Sequence, residues 1–547
     1  MLRSLKHGSL LTLSALLLAL PVLAQDAARG NLVDVQWLEK NLKNPDLVLI
    51  DAQPGQAYTA KHITGAVHYD LFSYGASGLP AAASEKMYQS WGISPGKKIV
   101  IYDQGASYFA PRLFFSLEYY GFPVKDMYLL DGGIFKWEAA GLPVTKEPTA
   151  PPQKGTFTVS QRNASVMAEL PEVVTASGDT EHNALVEGLD ADWHFGGITF
   201  FLKPGHIPNA IMAPAEDFFN PDKTFKSSQE IKSMLTYLGI KPEQQLYAHC
   251  GGGVAASVPY FAAKYIADYP KVKLFVGSQL DWISDPRDLP FWTYDEPYLM
   301  RQTQWLQFWD SQQPRMYGIT NLALIDVRPA DQYSKGHLPF SVNIPPDVFR
   351  SSVTNPEKLA DALGPAGVKP SQEAVLVSGT GITKESALAF MMLERLGQQK
   401  VSIFTDSFDS WTKQGQKITS DATFIGPRSA TQPLAIAPTT YKPSLRDGII
   451  IANATSTHDV YPKVFIASGK DMPAKAQDGK VVHLPYTDLL NPDGTPKTAT
   501  EIWKTLAKAG VPRYAELVCI SDDPGEAAAN YFILKLMGFP DVKVLAM

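Results

Sequence analysis

Leu246-Tyr247-Ala248-His249-Cys250-Gly251-Gly252-Gly253-Val254-Ala255-Ala256 reads as a short apolar strand, a glycine loop and, from near Val254, the start of an apolar helix. So brief an apolar run bounded by glycine is a strand signal, and its alternation with a following helix fits a parallel sheet covered by helices. The same step from strand to loop occurs three more times. Ile99-Val100-Ile101-Tyr102 precedes Asp103, Ala374-Val375-Leu376-Val377 precedes Ser378, and Leu517-Val518-Cys519-Ile520 precedes Ser521.

Each copy extends outward in the same way. An earlier apolar run ends near an acid or amide, at Leu47 to Asp51, Ala184 to Glu187, Leu322 to Asp326 and Ile449 to Asn453. In the first three copies a histidine turn follows, at Lys61-His62-Ile63, Gly205-His206-Ile207-Pro208 and Gly336-His337-Leu338-Pro339; the fourth lacks it. A third strand and a tryptophan helix close the unit around Trp137, Trp282 and Trp411, and the fourth copy stops at Val544-Leu545. Strands alternating with helices in a repeated unit predict an α/β fold, with four parallel sheets flanked by helices. Polar and proline-rich joints place the units at 30–148, 155–300, 305–425 and 435–547.

The 547-residue length suits several domains, and 45% hydrophobic with 19% charged residues is ordinary globular composition. Residues 1–24 read as an export signal: Arg3 and Lys6, an apolar run from Leu10 to Leu20, Pro21, then Val22-Leu23-Ala24 before Gln25. The run is too short to span a bilayer, so a periplasmic protein without a membrane span after cleavage is expected. Cleavage removes two cations and no acid, moving the formal charge from −6 to −8. An acidic chain disfavours nucleic acid as partner, so any anion must be held by local geometry.

Cys250 and Cys519 are the only cysteines, and they stand in different units, a poor disulfide framework. A cysteine at the end of a parallel strand, followed by Gly251, Gly252 and Gly253 and then Val254, Ala255 and Ala256, lets backbone N–H groups converge on its sulfur. That cradle and the positive end of the following helix favour thiolate at neutral pH. Cys519 lies within its strand and reads as core. The corresponding loop positions in the other copies are Asp103, Ser378 and Ser521, none of them a thiol. A cysteine phosphatase needs an arginine six positions on; Ala256 stands there.

The repeated units resemble rhodanese domains, and the first two together resemble the tandem thiosulfate and 3-mercaptopyruvate sulfurtransferases. The resemblance implies a silent first domain, with Asp103 opposite Cys250, and a catalytic second domain; Leu130-Asp131-Gly132-Gly133 to Trp137 is similar to the family's silent domain. The Cys250 loop resembles the mercaptopyruvate type, Cys-Gly-Ser-Gly-Val-Thr-Ala, with Gly252 for serine and Ala255 for threonine. The family's substrate-binding arginines are absent around Leu189 and His194, leaving Lys203, His194, His249 and, from the first unit, His62 as candidate substrate contacts. The resemblance implies a small anionic sulfur donor and a thiophilic acceptor, with a sulfur-accepting or redox protein of the periplasm as a candidate partner, and no cofactor or metal. The competing reading is a sulfur or selenium carrier, or a partner-binding scaffold.

Overall fold

Every main strand is apolar at almost all positions, so each must be covered on both faces, and parallel pairing with helical crossovers achieves this. The computed structural model describes residues 30–74, 80–159, 162–199, 202–452, 460–469 and 479–546; the expected signal at 1–24 lies outside them. The first sheet orders its strands Leu32–Val33, Met127–Leu130, Lys98–Tyr102, Leu47–Asp51, Val67–His68, all parallel. The second runs Val272–Leu274, Gln245–His249, Asn183–Glu187, Ala210–Met212, with a single bridge from Met167 to Leu274 in place of the outer strand. The third runs Met300–Arg301, Lys400–Phe404, Glu373–Val377, Leu322–Asp326, Val342–Asn343. The fourth runs Ile450–Ile451, Val542–Leu545, Glu516–Ile520, Lys463–Ala467, Lys480–His483.

The common order corrects one sequence assignment. Ile449 to Asn453 is not the fourth copy's leading central strand: Ile450–Ile451 is its outer strand, equivalent to Leu32–Val33 and Met300–Arg301. The leading strand is Lys463–Ala467, paired along its whole length with Glu516–Ile520. Both stretches are apolar and β-branched, and only pairing tells them apart.

The tryptophan helices repeat down to one hydrogen bond. Trp137, Trp282 and Trp411 are buried, and each indole N–H donates to a carbonyl six to eight residues on, at Pro143 (3.0 Å), Pro290 (2.9 Å) and Lys417 (2.9 Å).

The sheets work in pairs. Helix Phe109–Tyr119 of the first unit packs on Ser257–Phe261 of the second, and Lys384–Leu396 of the third packs on Pro524–Leu536 of the fourth. These helices bury residues on nearly every side, one face against their own sheet and the other against the partner helix. The contacts match between pairs. Phe114 meets Phe261 edge-on at 5.0 Å, and Phe390 meets Phe532 edge-on at 4.9 Å. Buried Glu118 accepts from Tyr260 (2.7 Å) and Lys264 (2.6 Å), and Glu394 accepts from Tyr531 (2.9 Å) and Lys535 (2.6 Å). The second half is thus built on the plan of the first. Contacts between the second and fourth units join the halves: Arg513 and Tyr514 bond Asp217 (3.0 and 2.6 Å), Tyr237 bonds the Ala515 carbonyl (2.8 Å), and Thr500 bonds the Phe195 carbonyl (2.7 Å).

Glu394→Ala strips Tyr531 and Lys535 of their shared acceptor and is expected to cost about 3 kcal/mol. Urea unfolding reads this, and a loss below about 0.5 kcal/mol, the range of ordinary surface changes, would contradict the assignment. Adding Tyr531→Phe to the variant removes the stranded hydroxyl and should recover part of the loss.

Candidate active site

Cys250 follows the last residue of strand Gln245–His249, at the carboxyl edge of the second sheet, where crevices open in parallel α/β folds. Alternation along that strand sends Leu246, Ala248 and Cys250 to the face shared with the first unit, and Tyr247 to the other. The sulfur therefore lies in the core joining the first two units, and Cys250 is only 3% exposed.

The loop is held at both ends. Cys250 N–H donates to Ser278 Oγ (3.0 Å), while Gln279 and Leu280 N–H donate to the carbonyls of Cys250 and Gly251 (both 3.0 Å). The Gly253 N–H points back at Cys250 Sγ, 3.1 Å away. Gly253 reaches this pose at φ +77°, and a Cβ there would lie 2.2 Å from the Val276 carbonyl oxygen. At Gly252 a Cβ would meet nothing within 4 Å, so the gap left by the family's serine is open space. The helix begins at Ser257 rather than near Val254, because the glycine turn takes up the intervening residues as irregular backbone.

Sequence reasoning missed Arg112. It lies on Phe109–Tyr119 of the first unit, 2% exposed, and its Nη1 donates to Ser116 Oγ (2.6 Å). Burial draws its pKa below the usual arginine range, and the neighbouring Tyr69, Tyr88 and Cys250 side chains oppose that shift. A buried cation from the first unit thus shares the interface core that holds Cys250. No spacing signal links residues so far apart in the chain; only the pairing of the units brings them together.

Three of the four candidate substrate contacts are otherwise engaged, and the fourth, His249, is buried with no partner on either ring nitrogen. Lys203 pairs with the Asp288 carboxylate, and His62 stacks on Tyr58 at 4.0 Å with Nδ1 bonded to the Tyr58 carbonyl (2.9 Å). His194 is fully buried between Glu187 and Asp295, its Nε2 2.6 Å from Asp295 Oδ1. Burial works against the charged imidazole there, but Asp295 and Glu187 more than offset it and raise the pKa to about 9. His249 is buried with neither ring nitrogen well partnered, and burial pulls it down to about 4. Cys519 is inside its strand, fully buried, and burial pushes its thiol far above the usual range.

The other three loops answer their own donors. Asp103 accepts from the N–H groups of Gly105 (2.8 Å) and Ala110 (2.9 Å), filling its cradle with its own carboxylate. Ser378 donates to the Gly381 carbonyl (2.5 Å) and Ser521 to Glu526 (2.8 Å). Asp523, two residues past Ser521, is clasped by Arg350 (2.9 Å) and Lys384 (2.7 Å) of the third unit.

A family model described as a rhodanese-like domain matches residues 34–140 and 312–414, which include Asp103 and Ser378. A probable 3-mercaptopyruvate sulfurtransferase of Pseudomonas aeruginosa is 31% identical over 281 residues, covering 47% of this chain and 96% of that protein. The chain belongs to the rhodanese-type sulfurtransferase family. A putative thiosulfate sulfurtransferase of Mycolicibacterium smegmatis is 29% identical over 265 residues (46% of this chain, 94% of that one), and the sulfur carrier protein TtuD of Thermus thermophilus is 29% identical over 268 residues (46% and 93%). Each relative matches under half of this rhodanese-type chain, in keeping with a doubled two-sheet plan. Among the described residues no helix is long and apolar enough to cross a membrane.

The two glycines give opposite expectations. Gly253→Ala should destabilise by about 2 kcal/mol, because it forces a left-handed backbone on alanine and a clash with Val276. Gly252→Ser should stay within about 0.5 kcal/mol of the parent, as at unconstrained sites. Thermal and urea unfolding of the pair decide, and equal effects would refute the loop geometry.

Proposed function

We propose that this sulfurtransferase works through a persulfide on Cys250. The observation that carries the reading is the Gly253 N–H directed at Cys250 Sγ, in a glycine loop at the carboxyl edge of a parallel sheet. A donor hydrogen at that place stabilises negative sulfur, whether thiolate or persulfide.

The reaction is a double displacement. Cys250 thiolate attacks the outer sulfur of thiosulfate, the donor's sulfur–sulfur bond breaks, and sulfite leaves with the electron pair. An acceptor such as cyanide or a thiolate then attacks the terminal sulfur of the persulfide and restores the Cys250 thiolate. Arg112 offsets the anionic charge from the first unit's side, which acts as a wall over the loop rather than as a second centre. A mercapto-acid donor is the poorer substrate: Leu189 and the engaged His194 stand where carboxylate-binding arginines are expected, so no bidentate clamp forms.

The chain divides into a silent unit at 30–148, the catalytic unit at 155–300, and silent units at 305–425 and 435–547, except that Met300–Arg301 pairs into the third sheet and moves the start of the third unit back to Met300. Supporting this are the self-satisfied loops of Asp103, Ser378 and Ser521. Export to the periplasm by the 1–24 segment belongs to the same reading. The similarity to a sulfur carrier favours a protein as one physiological acceptor, with small thiophiles as the alternative.

Steady-state transfer from thiosulfate to cyanide tests the reading. Cys250→Ser should abolish turnover, Cys519→Ser should leave it within about threefold, and Arg112→Met should lower it about 100- to 1,000-fold, the scale of one lost electrostatic stabiliser. Equal loss in both cysteine variants, with folding intact, overturns the single-site account.

A further inference from the structure

The histidine turn recurs in three units with one construction. His62 stacks on Tyr58 (4.0 Å) and His337 on Tyr333 (3.7 Å); each bonds that tyrosine's carbonyl through Nδ1 (2.9 Å) and leaves Nε2 buried and bare. In the second unit the stacking partner is itself an imidazole. His206 lies on His194 at 3.7 Å and bonds the His194 carbonyl through Nδ1 (2.8 Å), again with Nε2 bare.

A second change follows from the strand end. In the first and third units the closing acid is held by the residue two positions on: Asp51 by Gln53 (2.9 Å) and Asp326 by Arg328 (2.6 Å). In the second unit that position is Leu189, so buried Glu187 turns to His194 Nδ1 and to Gln279 instead. Both imidazoles then have Nδ1 tied to an acceptor, and both present Nε2 to one carboxylate oxygen. Asp295 Oδ1 lies 2.6 Å from His194 Nε2 and 3.4 Å from His206 Nε2.

This is the arrangement of two metal-binding histidines with their outer nitrogens anchored, one of them by a carboxylate. Two carboxylates, Glu187 and Asp295, flank His194 in a largely buried cluster, and a divalent cation takes the place of the Nε2 proton that His194 shares with Asp295, releasing that proton to solvent. Asp295, unlike His194 and His206, also lines a cavity of about 770 Å³ where the second, third and fourth units meet, beside Glu296, Arg301 and Trp503. Its other oxygen lies against the fourth unit: a Cβ on Gly538 would fall 1.9 Å from Asp295 Oδ2.

We infer that His194, His206 and Asp295 bind one divalent transition-metal ion of the zinc type, which fastens the joint after the second unit to both halves of the molecule. The ion is structural, separate from the Cys250 loop. Two imidazoles and a carboxylate suit zinc with one position left for water. The stacked rings are parallel within 2°, so their in-plane lone pairs run side by side, and closing on an ion requires the rings to tilt apart.

The test uses the full chain carrying Cys250→Ser, stripped of metal and titrated with Co²⁺ and then Zn²⁺. One Co²⁺ per chain is expected, with visible d–d absorption and no thiolate charge-transfer band, displaced by Zn²⁺ and accompanied by a higher thermal midpoint. Asp295→Asn and His206→Gln should weaken binding more than about 10-fold, and Glu187→Gln about 10- to 100-fold, while His337→Gln leaves it unchanged. Should a variant misfold, Cu²⁺ electron paramagnetic resonance on the otherwise unaltered chain supplies the readout, with two imidazole nitrogens expected. Failure to retain a stoichiometric ion, binding unchanged in folded Asp295→Asn, or a spectrum without two imidazoles overturns the proposal.

Discussion

Helices with apolar residues beyond the face that covers their own sheet have no stable place on a lone sheet, and in this protein they are buried by packing sheet unit against sheet unit. Phe109–Tyr119 against Ser257–Phe261, and Lys384–Leu396 against Pro524–Leu536, join four parallel sheets into two pairs. Polar groups cannot enter such an interface unpaired. The Glu118–Tyr260–Lys264 and Glu394–Tyr531–Lys535 clusters satisfy each other there, and they also set the register of one helix on its partner.

Pairing also decides where chemistry is possible. The loop at the carboxyl edge of each main strand opens toward its partner unit, and the occupant of that loop differs. Asp103 fills its own cradle, Asp523 is locked by Arg350 and Lys384, and Ser378 is turned onto a backbone carbonyl. Among these four described loops, only that of Cys250 offers a soft nucleophile with a backbone N–H directed at it, and a buried cation, Arg112, lies in the opposite unit. The duplicated half thus keeps the packing of the first half while its loops are closed by ion pairs and hydrogen bonds.

Much of this is legible in the sequence because it depends on local pattern. The strand runs at Leu47, Ala184, Leu322, Ile99, Leu246, Ala374 and Leu517, the glycine loop and the tryptophan helices all carry their signal within a dozen residues. Other features lack such a signal. Two-residue outer strands such as Leu32–Val33 and Ile450–Ile451 are too short for periodicity, which is why the sequence pattern misplaces the fourth copy's leading strand. The glycines delay the helix to Ser257, a matter of backbone path rather than composition. Arg112 beside Cys250, and Asp295 beside His194 and His206, are brought together across the fold, where chain spacing carries no information.

The most direct test of the account is the mass of the full-length protein after incubation with thiosulfate and removal of excess donor. Sulfur transfer through a persulfide predicts a gain of about 32 Da, mapped to the peptide that contains Cys250 and removed by cyanide. No gain in folded protein, or a gain mapped to Cys519, would contradict it.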